Sequence, residues 1–468
     1  MNRTKIIATV GPGCDSKTEL QKLVELGVNC FRINLSHGSI EEKKNYFDLI
    51  RSLKTPRGIR PTILADIAGP KIRVENIKKD KSVKKGDVII LSNEKKAEDI
   101  ISISEGVRFE KVNPGAKILI DDGRLSLEVL ELASSQTLIC TALNDGIIQQ
   151  KKGVNFPGVA LSVPVLTEQD EADIKLSLSK KADWLALSFV RSPGDYKILK
   201  DKVEEEGCSV PIMAKIEKWE AVQNLDEIID SFDAVMVARG DLGVEMPIEQ
   251  VPIIQKEVIK KANNSGKPVI IATQILDSMI DRSVPTRAEV SDIANAILDG
   301  ADTLMVTGET AIGKHPKKVI KVLSSVIRKT ESSINYGEYS RWSSNNDINT
   351  ANAISHAACA VSRSQRIGVL ATMTHSGYTA RMAARYRPSA KIIAMTPFKE
   401  TCRRLAIVWG VSPVLVGDYR SADEIPEIAN SELIRLGLIK KGESFVVTGG
   451  VPVGVSGTTN YLTVLKGA

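Results

Sequence analysis

Met213-Ala214-Lys215-Ile216-Glu217, followed by Asp233-Ala234-Val235-Met236-Val237-Ala238-Arg239-Gly240-Asp241-Leu242-Gly243, decides how this chain is read. The first segment is an apolar strand that ends in charge. Side chains alternate along a strand, so Lys215 and Glu217 project from one face. The second is another apolar strand, and it breaks into charge just before a helix. An amine and two carboxylates at the ends of neighbouring strands suit a divalent cation beside an anionic substrate. The same residues on an exposed edge would be an ordinary ion-pair cluster, so the surrounding sequence has to decide.

Working outward, the chain alternates. Lys5 to Val10, Cys30 to Leu35 and Pro61 to Ala65 read as strands. A helix is expected from about Ser16 to Leu26, with Ser16 as N-cap and Glu19 three residues on in a capping-box pattern. Another is expected from about Ile40 to Leu53. After Thr167 the rhythm resumes, with strands near 184–188, 211–216, 233–238, 268–272 and 303–306. Eight strand–helix units are the count of a closed (β/α)8 TIM barrel; an open doubly wound sheet is the alternative. Polar residues end at least six of these strands, whereas an open sheet collects them at one switch point, and this favours the barrel. From about Lys71 to Leu166 short β-branched runs are split by turns such as Asn113-Pro114-Gly115 and Asp121-Asp122-Gly123, which predicts a small inserted β-domain. Polar Ser343-Ser344-Asn345-Asn346-Asp347 marks a boundary before a C-terminal α/β domain with strands near 366–371, 391–395, 411–416 and 444–448. The predicted division is a discontinuous barrel of 1–69 and 168–342, an insert of 70–167 and a C-terminal domain of 343–468.

Composition narrows the class. The chain has 468 residues, 43% hydrophobic and 26% charged, which is ordinary for a soluble globular protein. A net charge of +6 suits small anions and makes no case for nucleic acid. No apolar run reaches the ~18 residues that span a bilayer, so no membrane is expected. The N-terminus runs straight into a strand, without a signal-peptide pattern. The six cysteines form no CxxC pair and sit singly in apolar surroundings, which points to reduced thiols in a cytoplasm. Four histidines make a histidine-built metal site a poor fit.

The strand ends carry the chemistry. In Cys30-Phe31-Arg32-Ile33-Asn34-Leu35-Ser36-His37-Gly38, Arg32, Asn34 and Ser36 share one parity. Barrel interiors are normally aliphatic, so polar groups aimed inward at a strand end need a ligand. Asp66 closes the third strand, Thr273 and Gln274 the seventh, and Thr307-Gly308-Glu309-Thr310 the eighth. Arg32, Arg73, Lys152 and Lys215 suit phosphate, while Glu217 and Asp241 suit a hard cation such as Mg²⁺. Backbone N–H groups at Gly240-Asp241, where a helix begins, could hold a carboxylate. No Walker A, GxGxxG or Ser-His-Asp pattern is present. Near the end, Thr372-Met373-Thr374-His375-Ser376-Gly377-Tyr378-Thr379 reads either as a phosphate cradle or as a helix cap built on Thr374 or Ser376. The residues thus predict a Mg²⁺-assisted enzyme acting on a phosphorylated anion, without identifying that anion.

MAKIEKWEA at 213–221, with ARGDLGVEM, IATQILDSM, PTRAEVSDIANAILDGAD and GETAIG, resembles the pyruvate kinases. FRINLSHG, KKGVNFPG and SGTTN extend the likeness over essentially the whole chain. The resemblance implies phosphoryl transfer from phosphoenolpyruvate to ADP, giving pyruvate and ATP in glycolysis. It implies that Lys215 neutralises the transferring group, with Arg32 on the phosphate and Gly240, Asp241 and Thr273 on the substrate carboxylate. Thr273 would also help relay a proton to the enolate. Glu217 and Asp241 would bind Mg²⁺ or Mn²⁺; Asn34, Arg73 and Lys152 would contact nucleotide phosphates. The insert would be a β-barrel lid that excludes water. The family type implied is bacterial, without the extra C-terminal domain of some members, and homotetrameric. A phosphorylated allosteric effector would sit on Thr374, Ser376, Gly377 and Thr379, under the loop Thr448 to Thr459. Many members hold K⁺ on Asn34, Ser36, Asp66 and the Ile67 carbonyl, and carry a glutamate where this chain has Lys71. A lysine there repels a second cation, so K⁺ is expected to be dispensable, unless Lys71 points to solvent at the lid hinge. A Mg²⁺-dependent lyase acting without a nucleotide, and a silent metabolite sensor, are the rival readings; the first would need neither the lid nor Lys152, and the intact Lys215, Glu217, Asp241 and Thr273 argue against the second.

Overall fold

A computed structural model describes residues 2–55, 58–75, 77, 79–93, 100–104, 107–336, 349–455 and 457–468. The eight expected strands form: Lys5–Thr9, Cys30–Asn34, Thr62–Ile67, Trp184–Leu187, Ile212–Ile216, Ala234–Ala238, Val269–Ala272 and Thr303–Val306. They are parallel and close into a barrel in sequence order. Nearly every residue in them is buried, as strands covered on both faces must be. One parity packs under the surrounding helices and the other fills the barrel, where Ile7, Leu64, Met213, Met236, Ile270 and Met305 meet.

The barrel floor has a repeating device. Asn29, Asp183, Asp233 and Asp302 each stand just before an even-numbered strand. The carboxylate or amide oxygen of each accepts the backbone N–H of the preceding strand, at Ile6 (3.0 Å), Ile63 (2.9 Å), Ile212 (2.9 Å) and Val269 (3.0 Å). These bonds satisfy donors that the barrel's edge would otherwise leave open.

The floor is sealed by the C-terminal unit. Lys5 Nζ donates to Val411 O at 2.7 Å, Thr303 Oγ1 to Ile407 O at 2.7 Å and Trp184 Nε1 to Arg404 O at 3.2 Å, and Thr62 Oγ1 donates to Arg403 O. Ile407 itself joins the inner core of the barrel, 1% exposed. Arg403 pairs with Asp183 at 2.7 Å and Arg387 with Asp302 at 3.0 Å, so two of the floor acids also anchor this unit.

The insert is a seven-stranded sheet, with a two-stranded ribbon of Lys81–Val83 and Gly146–Ile148, around one core. Its terminal strands, Val74–Glu75 and Val154–Asn155, approach each other: Val74 N donates to Lys152 O at 2.8 Å and Val154 N to Ile72 O at 2.9 Å. The sheet is therefore barrel-like. The C-terminal sheet runs Val411–Leu415, Lys391–Thr396, Val369–Met373, Ser444–Gly450 and Thr459–Lys466. The last strand is antiparallel and was not expected, because as a half-exposed edge it lacks a continuous apolar run. The strand expected at 366–371 begins at Val369, since Arg366 turns with φ 55°. The helix Lys17–Glu25 has Ser16 as its cap, but Glu19 does not close the capping box; its carboxylate turns to Lys317 at 2.9 Å instead. The spacer 343–347 and the boundary at 342/343 lie outside the described residues.

Ile407→Ala leaves a void in the barrel although the residue belongs to the C-terminal sequence. A loss of ~2–4 kcal/mol is expected, the usual range for a buried aliphatic truncation. Urea unfolding of the two proteins measures it, and an unchanged midpoint would mean that the plug is not structural.

Candidate active site

The polar strand ends converge at the opposite mouth. Lys215, 9% exposed, lies 2.9 Å from Glu217 Oε1, 3.3 Å from Asp66 Oδ1 and 2.8 Å from Ser188 Oγ. Its ammonium is thus held from the third, fourth and fifth strand ends. Burial works against its charge, but Asp66 and Glu217 outweigh burial and keep its pKa above the ordinary lysine value. Asp66 also accepts Arg32 Nε at 2.6 Å. Burial would neutralise this acid, yet Lys215 and Arg32 together hold it below the usual carboxylate range.

Glu217 behaves differently. Burial raises its pKa, Lys215 opposes that, and nearby Asp241 adds to the rise. Its Oε2 accepts Phe189 N at 2.9 Å. Its Oε1 is buried, and its close partner is the Lys215 ammonium at 2.9 Å. Such an oxygen beside a second carboxylate fits a hard cation.

Asp241 sits in the first turn of the helix Arg239–Glu245, as the sequence predicts. Lys71 Nζ lies 2.9 Å from Asp241 Oδ1 and 5.8 Å from the centre of the Phe189 ring. Lys71 therefore does not simply point to solvent, and its charge is directed at Asp241. Gly240 N donates to Thr273 Oγ1 at 2.8 Å, so the N–H expected to meet a carboxylate is engaged within the chain here. Thr273 has φ 65° and Gln274 φ 55°. Positive φ is costly for a β-branched residue and recurs where backbone is fixed for function. Arg239 fixes this turn by donating to Thr273 O and Gln274 O at 2.8 and 3.1 Å while pairing with Asp292.

The remaining expected residues are more scattered. Asn34 Oδ1 accepts Ser36 N at 3.2 Å. Arg73 donates to Lys151 O at 2.9 Å and Lys152 pairs with Asp121 at 2.9 Å, so both partners lie in the insert. In the C-terminal unit, neither Thr374 nor Ser376 caps the helix Tyr378–Ala384; Gly377, with φ 84°, is the N-cap. Thr374 Oγ1 accepts Gly377 N at 2.9 Å and Thr379 Oγ1 meets Thr459 Oγ1 at 2.9 Å. Thr374, Ser376, Thr379 and Gly454 line a cavity of only about 20 Å³. Ser456 lies outside the described residues.

Residues 1–320 match the description "Pyruvate kinase, barrel domain" and residues 352–465 "Pyruvate kinase, alpha/beta domain". The chain belongs to the pyruvate kinase family. It is 42% identical to the pyruvate kinase of Thermotoga maritima, with 100% of each chain covered. It is 39% identical to that of Clostridium acetobutylicum, with 99% of each covered. A crystal structure of a pyruvate kinase from Cryptosporidium parvum matches with TM-score 0.92 at 32% identity, covering 100% of this chain and 96% of that one. The protein is accordingly a phosphotransferase, and family members require a divalent metal. No helix among the described residues is long and apolar enough to cross a membrane.

Two parts of this pyruvate kinase site escaped the sequence reading. Ser188 donates to Ile67 O at 2.6 Å while accepting from Lys215, and so ties three strands together. Phe189, at φ 55°, supplies both the N–H for Glu217 and the ring beneath Lys71. The only available signal was the polar Ser188 ending the run Leu185-Ala186-Leu187.

Proposed function

We propose that this pyruvate kinase transfers the phosphoryl group of phosphoenolpyruvate to ADP, giving pyruvate and ATP, through the residues gathered at the barrel mouth. The observation that carries the reading is the Lys215 ammonium, buried and held by Asp66, Ser188 and Glu217. A fixed charge in a dry site stabilises the transferring group without reorganising. Arg32, positioned by Asp66, binds the phosphate. Gly240, Asp241 and Thr273 receive the substrate carboxylate, and the Thr273 hydroxyl helps pass a proton to the enolate carbon. Asn34, Arg73 and Lys152 contact the nucleotide, with the last two brought in as the 70–167 lid closes over the 1–69 and 168–342 barrel.

Glu217 and Asp241 would hold Mg²⁺ or Mn²⁺, and the buried Glu217 Oε1, whose close partner is the Lys215 ammonium, supports this assignment. When bound, the metal supplies Lewis-acid charge to the substrate oxygens. The K⁺ set of Asn34, Ser36, Asp66 and Ile67 is largely occupied by internal partners. Asp66 is held by Arg32 and Lys215, the Ile67 carbonyl by Ser188 and the Asn34 amide by Ser36 N. With Lys71 adding a fixed positive charge at Asp241, K⁺ is dispensable. The 343–468 unit takes a phosphorylated effector on Thr374, Ser376, Gly377 and Thr379, which must part the Thr379–Thr459 hydroxyl pair to enter. A homotetramer working in the cytoplasm completes the proposal.

Three measurements test it. Lys215→Met is expected to fold normally and lose about 10²–10³ or more in kcat, the usual value of one electrostatic stabiliser; near-normal pyruvate production from phosphoenolpyruvate and ADP would remove Lys215 from the mechanism. Turnover in potassium and in tetramethylammonium at equal ionic strength should agree within about twofold, because Lys71 already supplies the charge, and Lys71→Glu should create a potassium requirement. AMP or a sugar phosphate should shift the phosphoenolpyruvate saturation curve to lower concentration, and Thr379→Val should weaken that shift. A panel without effect or binding would exclude the effector site.

A further inference from the structure

The helix Arg239–Glu245 is gripped by the insert at both ends. At its first turn Lys71 Nζ, on the segment entering the insert, meets Asp241 Oδ1 at 2.9 Å. At its last residue Asn155 Nδ2, on the insert strand Val154–Asn155, donates to Glu245 Oε1 at 2.8 Å. The same oxygen accepts Lys218 Nζ at 2.8 Å, and Lys218 directly follows Glu217. Glu245 is 4% exposed and Asn155 is 9% exposed, so this junction is dry. Glu245 Oε2 is buried there with no hydrogen-bond donor.

The other bonds between insert and barrel lie at the two connecting segments. Arg191 donates to Leu161 O at 3.4 Å and to Val163 O at 3.0 Å, and Gly69 N, at the entry, donates to Asp170 Oδ1 just past the exit at 3.1 Å. Bonds of that kind sit at the hinge and survive a swing of the insert. Asn155–Glu245 joins the body of the insert's sheet to the barrel, so a swing must break it. Asp241 lies one helical turn before Glu245, so where the insert rests on Glu245 also bears on the end of the helix that faces the proposed metal and substrate.

We propose that Glu245 is the latch on which the lid closes, and that Asn155 and Glu245 are positioning residues for the nucleotide half of the reaction. The proposal rests on the reading of the insert as a lid over the nucleotide. Neither residue touches the reacting atoms. The latch sets how far Arg73 and Lys152 are carried toward the barrel mouth, and therefore acts on ADP more than on phosphoenolpyruvate.

The test uses the full-length enzyme and reciprocal exchange of the two groups. Asn155→Asp sets two carboxylates against each other; adding Glu245→Gln restores an amide–carboxylate pair with the roles reversed. Asn155→Asp is expected to speed amide hydrogen exchange in segments 70–75 and 151–156 by about tenfold, consistent with one lost bond to a charged group. It should raise KM for ADP several-fold and leave KM for phosphoenolpyruvate within about twofold, because the latch moves the nucleotide side only. The double variant should recover both. Asn155→Ala, which adds no charge, should show the same pattern at smaller size and carries the test if Asn155→Asp does not fold. Unchanged exchange in the single variants, or a double variant no better than the sum of its parts, overturns the latch. Faster exchange with an unaltered KM for ADP sustains the latch and removes the nucleotide-lid reading instead.

Discussion

A buried ammonium must be compensated, and the mouth of this barrel is arranged around that constraint. Lys215 sits where burial works against its charge. It stays charged because three strand ends each contribute one oxygen, from Asp66, Ser188 and Glu217. The position of each strand end is therefore fixed relative to the others by chemistry as well as by the closed hydrogen-bonded sheet. Arg32 inherits its orientation through Asp66, and Glu217 is steadied in turn by the Phe189 backbone.

The two ends of the barrel treat their polar groups in opposite ways. At the floor, polar side chains on the inner parity, Lys5, Thr62, Trp184 and Thr303, donate to carbonyls of the segment 403–411. At the mouth, Glu217 Oε1 is buried against the Lys215 ammonium and Thr273 holds a backbone conformation costly for its type. The polar strand starts at the floor are thus tied to the C-terminal unit, whereas the polar strand ends at the mouth are gathered around Lys215. The segment that seals the floor also touches the candidate effector loop, since Thr401 Oγ1 donates to His375 O at 2.7 Å.

Much of this was legible in the sequence, for identifiable reasons. Strand count and strand parity depend on local apolar runs, so the eight strands and the inward placement of Arg32, Asp66, Lys215 and Glu217 could be read directly. Asp241 was legible because a helix start after a strand is a local pattern. Ser188 was not, because a serine after Ala186-Leu187 carries no signal until Lys215 and Ile67 are brought beside it. Positive φ at Phe189 and Thr273 is likewise imposed by tertiary contacts. The floor acids Asp183, Asp233 and Asp302 look like ordinary turn residues one at a time; their common task appears only when neighbouring strands are paired. Ile407 lies some hundred residues beyond the last barrel strand, and no local pattern assigns it to the barrel interior. The edge strand Thr459–Lys466 was missed because its exposed face breaks the apolar run.

Charge balance at the mouth connects the metal to Lys71. Three cations, Arg32, Lys71 and Lys215, stand against three anions, Asp66, Glu217 and Asp241, and their sum is zero. A multiply charged phosphorylated substrate entering a neutral, poorly hydrated site would lack compensation, because the existing cations are already committed to carboxylates. Glu217 and Asp241 would hold a divalent cation that would supply the missing two charges, and Lys71 and Lys215 would then be released to face the substrate. Replacing Lys71 by glutamate would change the sum from zero to minus two. A divalent ion would then only restore neutrality, and a further monovalent ion would recover one of the two positive charges lost. On this argument Lys71 would supply part of the charge that a monovalent ion would otherwise bring.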